Sequence, residues 1–226
     1  MLLIIENVLT KDQVTHCRDV MARQAWVDGR IAAEGSPGGK HNRQLPEDLP
    51  AARQMGDLIL EALGDNPLFQ SAALPFSIFP PLFTLHAGND EHGASVGDAI
   101  RAANGSAVRL RADIAATLFL SEPEEYEGGE LTIEDSFSAE AVKLPAGDLI
   151  LSSASSRHHV GGVTHGARIC SSFWVQSLIR DEGERALLYD LDQTILSLAI
   201  QNDGETPETV SLKGLYENLI RRWADS

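Results

Sequence analysis

A chain of 226 residues with 43% hydrophobic and 23% charged side chains has the composition of one medium globular domain, or one domain with an appendage. Its formal net charge of −15 argues against a phosphate-backbone binder and an anionic membrane surface, which both need clustered Lys and Arg. A small anion held by one or two buried Arg residues stays compatible with that charge.

The chain reads in order as follows. Residues 1–6 are apolar but short, without a basic region or a cleavage site, so a signal peptide is not expected. Residues 2–8 predict a strand. Thr10 with Gln13 is spaced as a capping box, and Val14, Cys17, Val20 and Met21 follow at helical intervals. Residues 26–31 predict a strand turning at Asp28-Gly29 as a hairpin, and residues 34–43 a Gly-rich loop. A second helix starts at residues 48–50, with Met55, Leu58, Ile59, Ala62 and Leu63 as its stripe and Gly64 as its C′ residue. Both helices are expected on the outside of a sheet.

From residue 73 to 176 short apolar runs alternate with Gly, Pro and acidic turns. Strands are predicted at 77–86, 109–120, 130–134, 141–144, 148–151 and 169–176, a barrel or jelly-roll texture. The acidic run 122–127 reads as a solvated turn. After Asp181 two helices are predicted. One carries Leu187, Leu191, Ile195 and Leu198. The other starts at Thr206-Pro207 and carries Leu212, Leu215, Tyr216, Leu219, Ile220 and Trp223. The expected division is 1–178 for the β domain and 179–226 for a helical appendage, the latter a candidate homodimer interface. Cys17 and Cys170 read as buried thiols of a reducing compartment. No apolar run approaches the ~20 residues of a membrane helix, so a cytoplasmic location is the default.

Several segments, in collinear order over nearly the whole chain, resemble the PKHD-type hydroxylases, of the prolyl/lysyl hydroxylase domain class. They are Trp26-Val27-Asp28-Gly29, Gln44-Leu45-Pro46, Pro80-Pro81-Leu82-Phe83, Ala116-Thr117-Leu118-Phe119-Leu120, Tyr126-Glu127-Gly128-Gly129-Glu130-Leu131, Pro145-Ala146-Gly147-Asp148-Leu149, and residues 174–181. The resemblance implies a mainly β fold, a double-stranded β-helix (jelly-roll, cupin-like) with flanking helices. It also implies an Fe(II)/2-oxoglutarate-dependent dioxygenase, for which ascorbate is an accessory candidate. Such enzymes hold iron with a His-x-Asp pair and a distant His. Residues i and i+2 of a strand share a face, so both can reach one metal.

By that resemblance His158 stands at the distal-His position. Arg168, ten residues on, stands at the position of the Arg that grips 2-oxoglutarate. The first half of the site departs. In an ungapped register Ser95 falls where the His belongs and Gly97 where the Asp belongs. His86 and His92 replace residues that are usually aromatic, and the tyrosine usual at position 86 often contacts the co-substrate. Gly161-Gly162 replaces Thr-Pro, and Ser152-Ser153 replaces Tyr-Pro. Five of the seven histidines, His86, His92, His158, His159 and His165, fall in the two segments expected around the pocket. The other two are His16 and His41. Asp98, His86 and His92 are candidate substitute ligands, although Asp98 needs a bulge to reach the same face. Three functions follow: an active oxygenase of unknown substrate, a non-catalytic ligand-binding or protein-interaction module that keeps Arg168, and a cupin-like protein with another metal. No nucleic-acid or membrane partner is expected.

Overall fold

The computed structural model describes residues 2–29, 42–102, 109–135 and 138–225. Strand β1 (Leu2–Ile5) ends in a turn at Asn7, where φ is +53° and the N–H donates to Asp148 Oδ1 at 2.8 Å. The strand expected over 2–8 is therefore shorter. Helix α1 (Lys11–Met21) starts with the Thr10–Gln13 capping box and buries Val14, Cys17 and Met21.

Strand β2 (Val27–Asp28) pairs with β3 (Arg43–Gln44), and Gly29 N–H donates to Asn42 O at 2.8 Å. The Asp28-Gly29 pair is thus not a two-residue hairpin turn, because Asp28 is itself paired with Arg43 in the ladder. Of the loop expected over 34–43, residues 34–41 lie outside the described residues. Helix α2 (Pro50–Gly64) runs through Gly64, and Asp65 caps it. Asn66 then caps a short helix, α3 (Pro67–Ala73), through a bond from Phe69 N–H.

The central region holds more strands than the apolar runs predict. The Pro80-Pro81 pair divides the strand expected over 77–86 into β4 (Pro75–Ile78) and β5 (Leu82–Ala87). Next come β6 (His92–Ser95), β7 (Ile100–Ala102), β8 (Arg109–Arg111) and β9 (Ile114–Phe119). A 3₁₀ turn (Pro123–Glu125) leads into β10 (Tyr126–Gly128), β11 (Leu131–Glu134) and β12 (Ala139–Val142). The series closes with β13 (Leu149–Ser153), β14 (Arg157–Val160) and β15 (Val163–Ser177). Strands β6, β7, β10 and β14 lack a long apolar run, because each spans only three or four residues.

Two facing sheets make the jelly roll. The larger runs β1-β13-β9-β15-β5-β3-β2, with β4 and β10 also on β15; the smaller runs β12-β11-β14-β6. Their facing sides meet through Phe119, Leu131, Ile133, Val142, Ile150 and Val160. The outer side of the larger sheet buries Leu118, Leu151, Phe173 and Val175 against α1 and α2 residues such as Cys17, Met55 and Ile59. Both expected helices therefore lie where their stripes require. Lys11 and Arg18 on α1 pair with Glu122 (2.5 Å) and Glu125 (2.7 Å), so the acidic run clamps the helix to the barrel.

Helix α4 (Glu182–Gln201) is capped by Asp181, and α5 (Pro207–Trp223) by Thr206. The buried face of α4 is Leu188 and Ile195, while Leu187 is exposed, one residue round from the expected stripe. Leu188 packs with Leu74, Ile179, Tyr216 and Trp223. Buried Arg185 donates from Nη1 to Ile179 O (2.7 Å) and Arg180 O (2.8 Å), fastening α4 to the end of β15. Among the described residues no helix is long and apolar enough to cross a membrane.

Gly147 has φ +102°, and a Cβ there would lie 2.5 Å from Leu9 O, at the bridge between α1 and the sheet. Gly147→Ala should destabilise the protein by roughly 1–3 kcal/mol, lowering the urea midpoint without changing the slope. Gly64→Ala, in helical backbone with open space around it, should raise the midpoint by about 0.5–1 kcal/mol equivalent.

Candidate functional site

The period-2 alternation of β15 sends Phe173 and Val175 to the helices and Arg168, Cys170 and Trp174 to the barrel interior. Arg168 is 1% exposed. Its Nη1 donates to Cys170 Sγ at 3.0 Å, its Cζ lies 5.2 Å from the Phe119 ring centroid, and its Nε has no partner. Among the described residues no carboxylate pairs with it. An unpaired buried guanidinium is costly, so this one calls for an anion.

Two neighbours share the deficit. His86, on β5, is the direct cross-strand partner of Arg168, and it is buried with Nδ1 unpartnered. Burial, reinforced by the Arg168 charge and then by His92, lowers its pKa from 6.5 to about 3, so the ring is neutral. Tyr126, on β10, is buried with its hydroxyl unpartnered, and burial raises its pKa to about 12 despite the opposing charge of Arg168. Gly129 makes room for both: a Cβ there would lie 3.2 Å from Arg168 Cδ and 3.1 Å from Tyr126 Cε2. Arg168, His86 and Tyr126 thus offer a cation and two neutral polar groups to one buried place. This donor set fits a carboxylate, gripped along the Nε edge that Cys170 leaves open.

The facing wall is built by β6 and β14. His158 stands opposite Ser95, and Val160 opposite His92, with a register shift between. The span from His92 to Ser95 covers one residue more than the span it faces, so β6 carries a bulge. His92 and Ser95, three apart in sequence, thereby reach each other, with Nε2 to Oγ at 2.8 Å. The His92 and His158 rings lie 5.7 Å apart between centroids and tilt by 33°. His158 Nδ1 lies 3.4 Å from Ser156 O.

Gly97 brings no donor, and its Cα faces Ala154 O and the Trp174 indole. The Asp98 side chain is 77% exposed and pairs with Arg101 at 3.7 Å, so it turns away from His158 and towards solvent. Arg101 sits over Trp174, with Cζ 3.3 Å from the ring centroid. His159 faces outward to Glu134 at 3.6 Å, His165 is exposed on β15, and His41 lies outside the described residues. Among the described residues no three His, Cys, Asp or Glu side chains converge to hold a metal. The donors therefore do not fit the His-x-Asp plus His arrangement that octahedral Fe(II) takes.

The structure thus brings His86 to Arg168, and His92 to Ser95 and His158, while Asp98 joins neither group. Cys170 and Tyr126 are contacts that the sequence reading missed. For Cys170 the signal was available, since it follows Arg168 by two on one strand. The His92–Ser95 contact had none, because a bulge leaves no mark in residue order. A cavity of about 560 Å³ lies elsewhere, where Asp113, Arg180 and Arg185 meet Trp223 beneath the C-terminal helices.

Solved structures of oxygenases share this fold. HygX of Streptomyces hygroscopicus, solved with nickel and 2-oxoglutarate, matches with a TM-score of 0.56 at 15% identity, covering 78% of this chain and 82% of that one. A Pseudomonas putida prolyl-4-hydroxylase matches at 0.50 and 18% identity, covering 78% and 92%. A double-stranded β-helix is therefore the architecture. Among proteins similar in sequence, the PKHD-type hydroxylases of Methylobacillus flagellatus and Paraburkholderia xenovorans are 51% and 50% identical over 227 aligned positions, covering both chains fully. The PKHD-type hydroxylase C-terminal domain matches residues 182–225. The chain belongs to the PKHD-type hydroxylase family.

The buried neutral His86 has a consequence for stability. Its folded pKa, about 3, lies below the ordinary 6.5, so on acidification the unfolded chain takes the proton first. Its contribution is complete above pH 6.5 and is lost as the pH falls from 6.5 towards 3. Within that window the slope should approach about 1.4 kcal/mol per pH unit. His86→Gln should remove that slope from urea-unfolding free energies measured between pH 4 and pH 6.5; an unchanged slope would contradict the assignment.

Proposed function

We propose that this chain is a PKHD-type barrel that binds a carboxylate-bearing small molecule at Arg168 but has lost iron-dependent hydroxylation. The observation that carries this is the pairing of His158 with Ser95, beside a glycine at position 97. One imidazole remains of the three family ligands. A serine hydroxyl is a weak donor to Fe(II) at neutral pH, and glycine supplies none. When three protein ligands hold it, Fe(II) supplies the O₂ activation that turns 2-oxoglutarate into succinate and CO₂ during hydroxylation. Arg168, Tyr126 and His86 keep the other half of the site, and 2-oxoglutarate, the ligand bound in HygX, is the expected occupant. The physical role of the chain's own groups is charge pairing by Arg168 and neutral hydrogen bonding by His86 and Tyr126.

Restoration of the ligands tests the reading. Gly97 has no positive φ, and a Cβ would lie 3.2 Å from Ala154 O, so an aspartate fits after a shift of a few tenths of an ångström. With Fe(II) and O₂, the parent chain should form no succinate from 2-oxoglutarate, while the S95H/G97D double variant should form it. Succinate formation by the parent chain that disappears in His158→Ala would overturn the proposal. In EDTA, calorimetry should show 2-oxoglutarate binding that weakens at least tenfold, about 1.4 kcal/mol, in Arg168→Ala.

A further inference from the structure

We propose that Arg101 is a second anion anchor of the barrel, so that the occupant is a short dicarboxylate held by a guanidinium at each end. The inference rests on the reading that Arg168 binds a carboxylate and that the iron triad is gone. The second carboxylate of such a molecule then has no metal to meet, and Arg101, which lies outside the triad, takes it.

Three observations carry it. First, Arg101 is a buried cation with an unmet donor. Its side chain is 18% exposed, and its Nε is buried without a partner. Its ion pair with Asp98 is long, at 3.7 Å, and that carboxylate is 77% exposed, so water screens it. Burial lowers the pKa of Arg101, and Asp98 and then Glu47 oppose the shift. A guanidinium in that state gains from an anion for the same reason as Arg168.

Second, Arg101 stands over the interior. In the β7–β8 ladder it faces Leu110, which is buried, while its neighbours Ile100 and Ala102 are exposed. The alternation therefore turns Arg101 inward. There its Cζ lies 3.3 Å from the Trp174 ring centroid and 5.8 Å from that of Phe79. Trp174 shares the interior face of β15 with Arg168, and its indole nitrogen also fronts Gly97, where the family's aspartate is missing.

Third, the wall between the two cations is low and of suitable length. Cys170 and Ser172 lie between Arg168 and Trp174 on that face, and Thr117 and Ala115 pair with Ser172 and Trp174 from β9. Two large groups thus flank a trough of small ones. Arg168 Nη1 reaches the level of Cys170, and Trp174 stands four residues further on, roughly 13 Å along an extended strand. An extended five-carbon diacid spans about 5 Å between its carboxylate carbons, and a guanidinium–carboxylate fork adds about 4 Å at each end. Such a molecule bridges the two cations, whereas a three-carbon diacid falls short.

The test is calorimetry on the full chain in EDTA, with glutarate, pentanoate and malonate as probes. Glutarate should bind at least about tenfold more tightly than pentanoate, which keeps the length but lacks one carboxylate, and than malonate, which is too short. Arg101→Gln should weaken glutarate at least about tenfold and leave pentanoate unchanged, because pentanoate uses Arg168 alone. Arg101→Lys keeps the charge and should recover part of the loss, and a circular dichroism spectrum checks that both variants are folded. Asp98→Asn, which removes the exposed carboxylate beside Arg101, should not weaken glutarate. Equal affinity of the parent chain for glutarate and pentanoate, or full glutarate affinity in Arg101→Gln, would overturn the inference. So would equal weakening of both probes in Arg101→Gln, which is the mark of a general loss of the pocket. These outcomes are separate from those of the preceding proposal: succinate formation by the parent chain would overturn the loss of hydroxylation whatever the result in EDTA, and an Arg101→Gln variant that binds glutarate normally would leave carboxylate binding at Arg168 intact.

Discussion

Strand β15 is the constraint on which the rest of the structure depends. It pairs with β4, β5, β9 and β10 along its fifteen residues, so four other strands take their register from it. Its alternation separates two environments: Phe173 and Val175 face the helices, Arg168 and Cys170 face the interior. A slip of one residue would exchange these sets, placing a guanidinium in the helix-packed core and aromatic bulk in the pocket. The hydrophobic layer under α1 and α2 thus holds Arg168 in a place that Arg168 alone would not choose.

The two walls of the pocket differ in how they satisfy their polar groups. On the larger sheet, Arg168, His86 and Tyr126 each leave a buried polar atom without a partner. That is an energetic debt which a bound anion would remove. On the smaller sheet, His92 and Ser95 bond to each other and His158 leans on a backbone carbonyl. The wall from which the iron ligands are missing has closed on itself, while the wall that faces the carboxylate has stayed open.

Some of this was readable from residue order. The capping box at Thr10 and the helices under the sheet follow from local periodicity and were legible, while the place of Arg168 in the pocket followed from the family resemblance alone. Strands β6, β7, β10 and β14 were not, because three or four residues are too few to show an apolar period. The Asp28-Gly29 turn misled for a related reason: Gly29 serves a close approach to Asn42, which only the returning strand reveals. Asp98 seemed a candidate ligand by proximity in sequence, but its pairing with Arg101, which sits over Trp174, directs it outward.

By itself the sequence determined the family, the jelly-roll class, and the absence of a carboxylate and an imidazole at positions 97 and 95, because these depend on residue identity in order. Only the tertiary structure decided what stands around the gap. The β6 bulge joins His92 to Ser95 and sets it beside His158, and burial strips His86 of its proton next to Arg168. Both effects come from strands far apart in the chain meeting in a low-dielectric interior, and neither has a local signature.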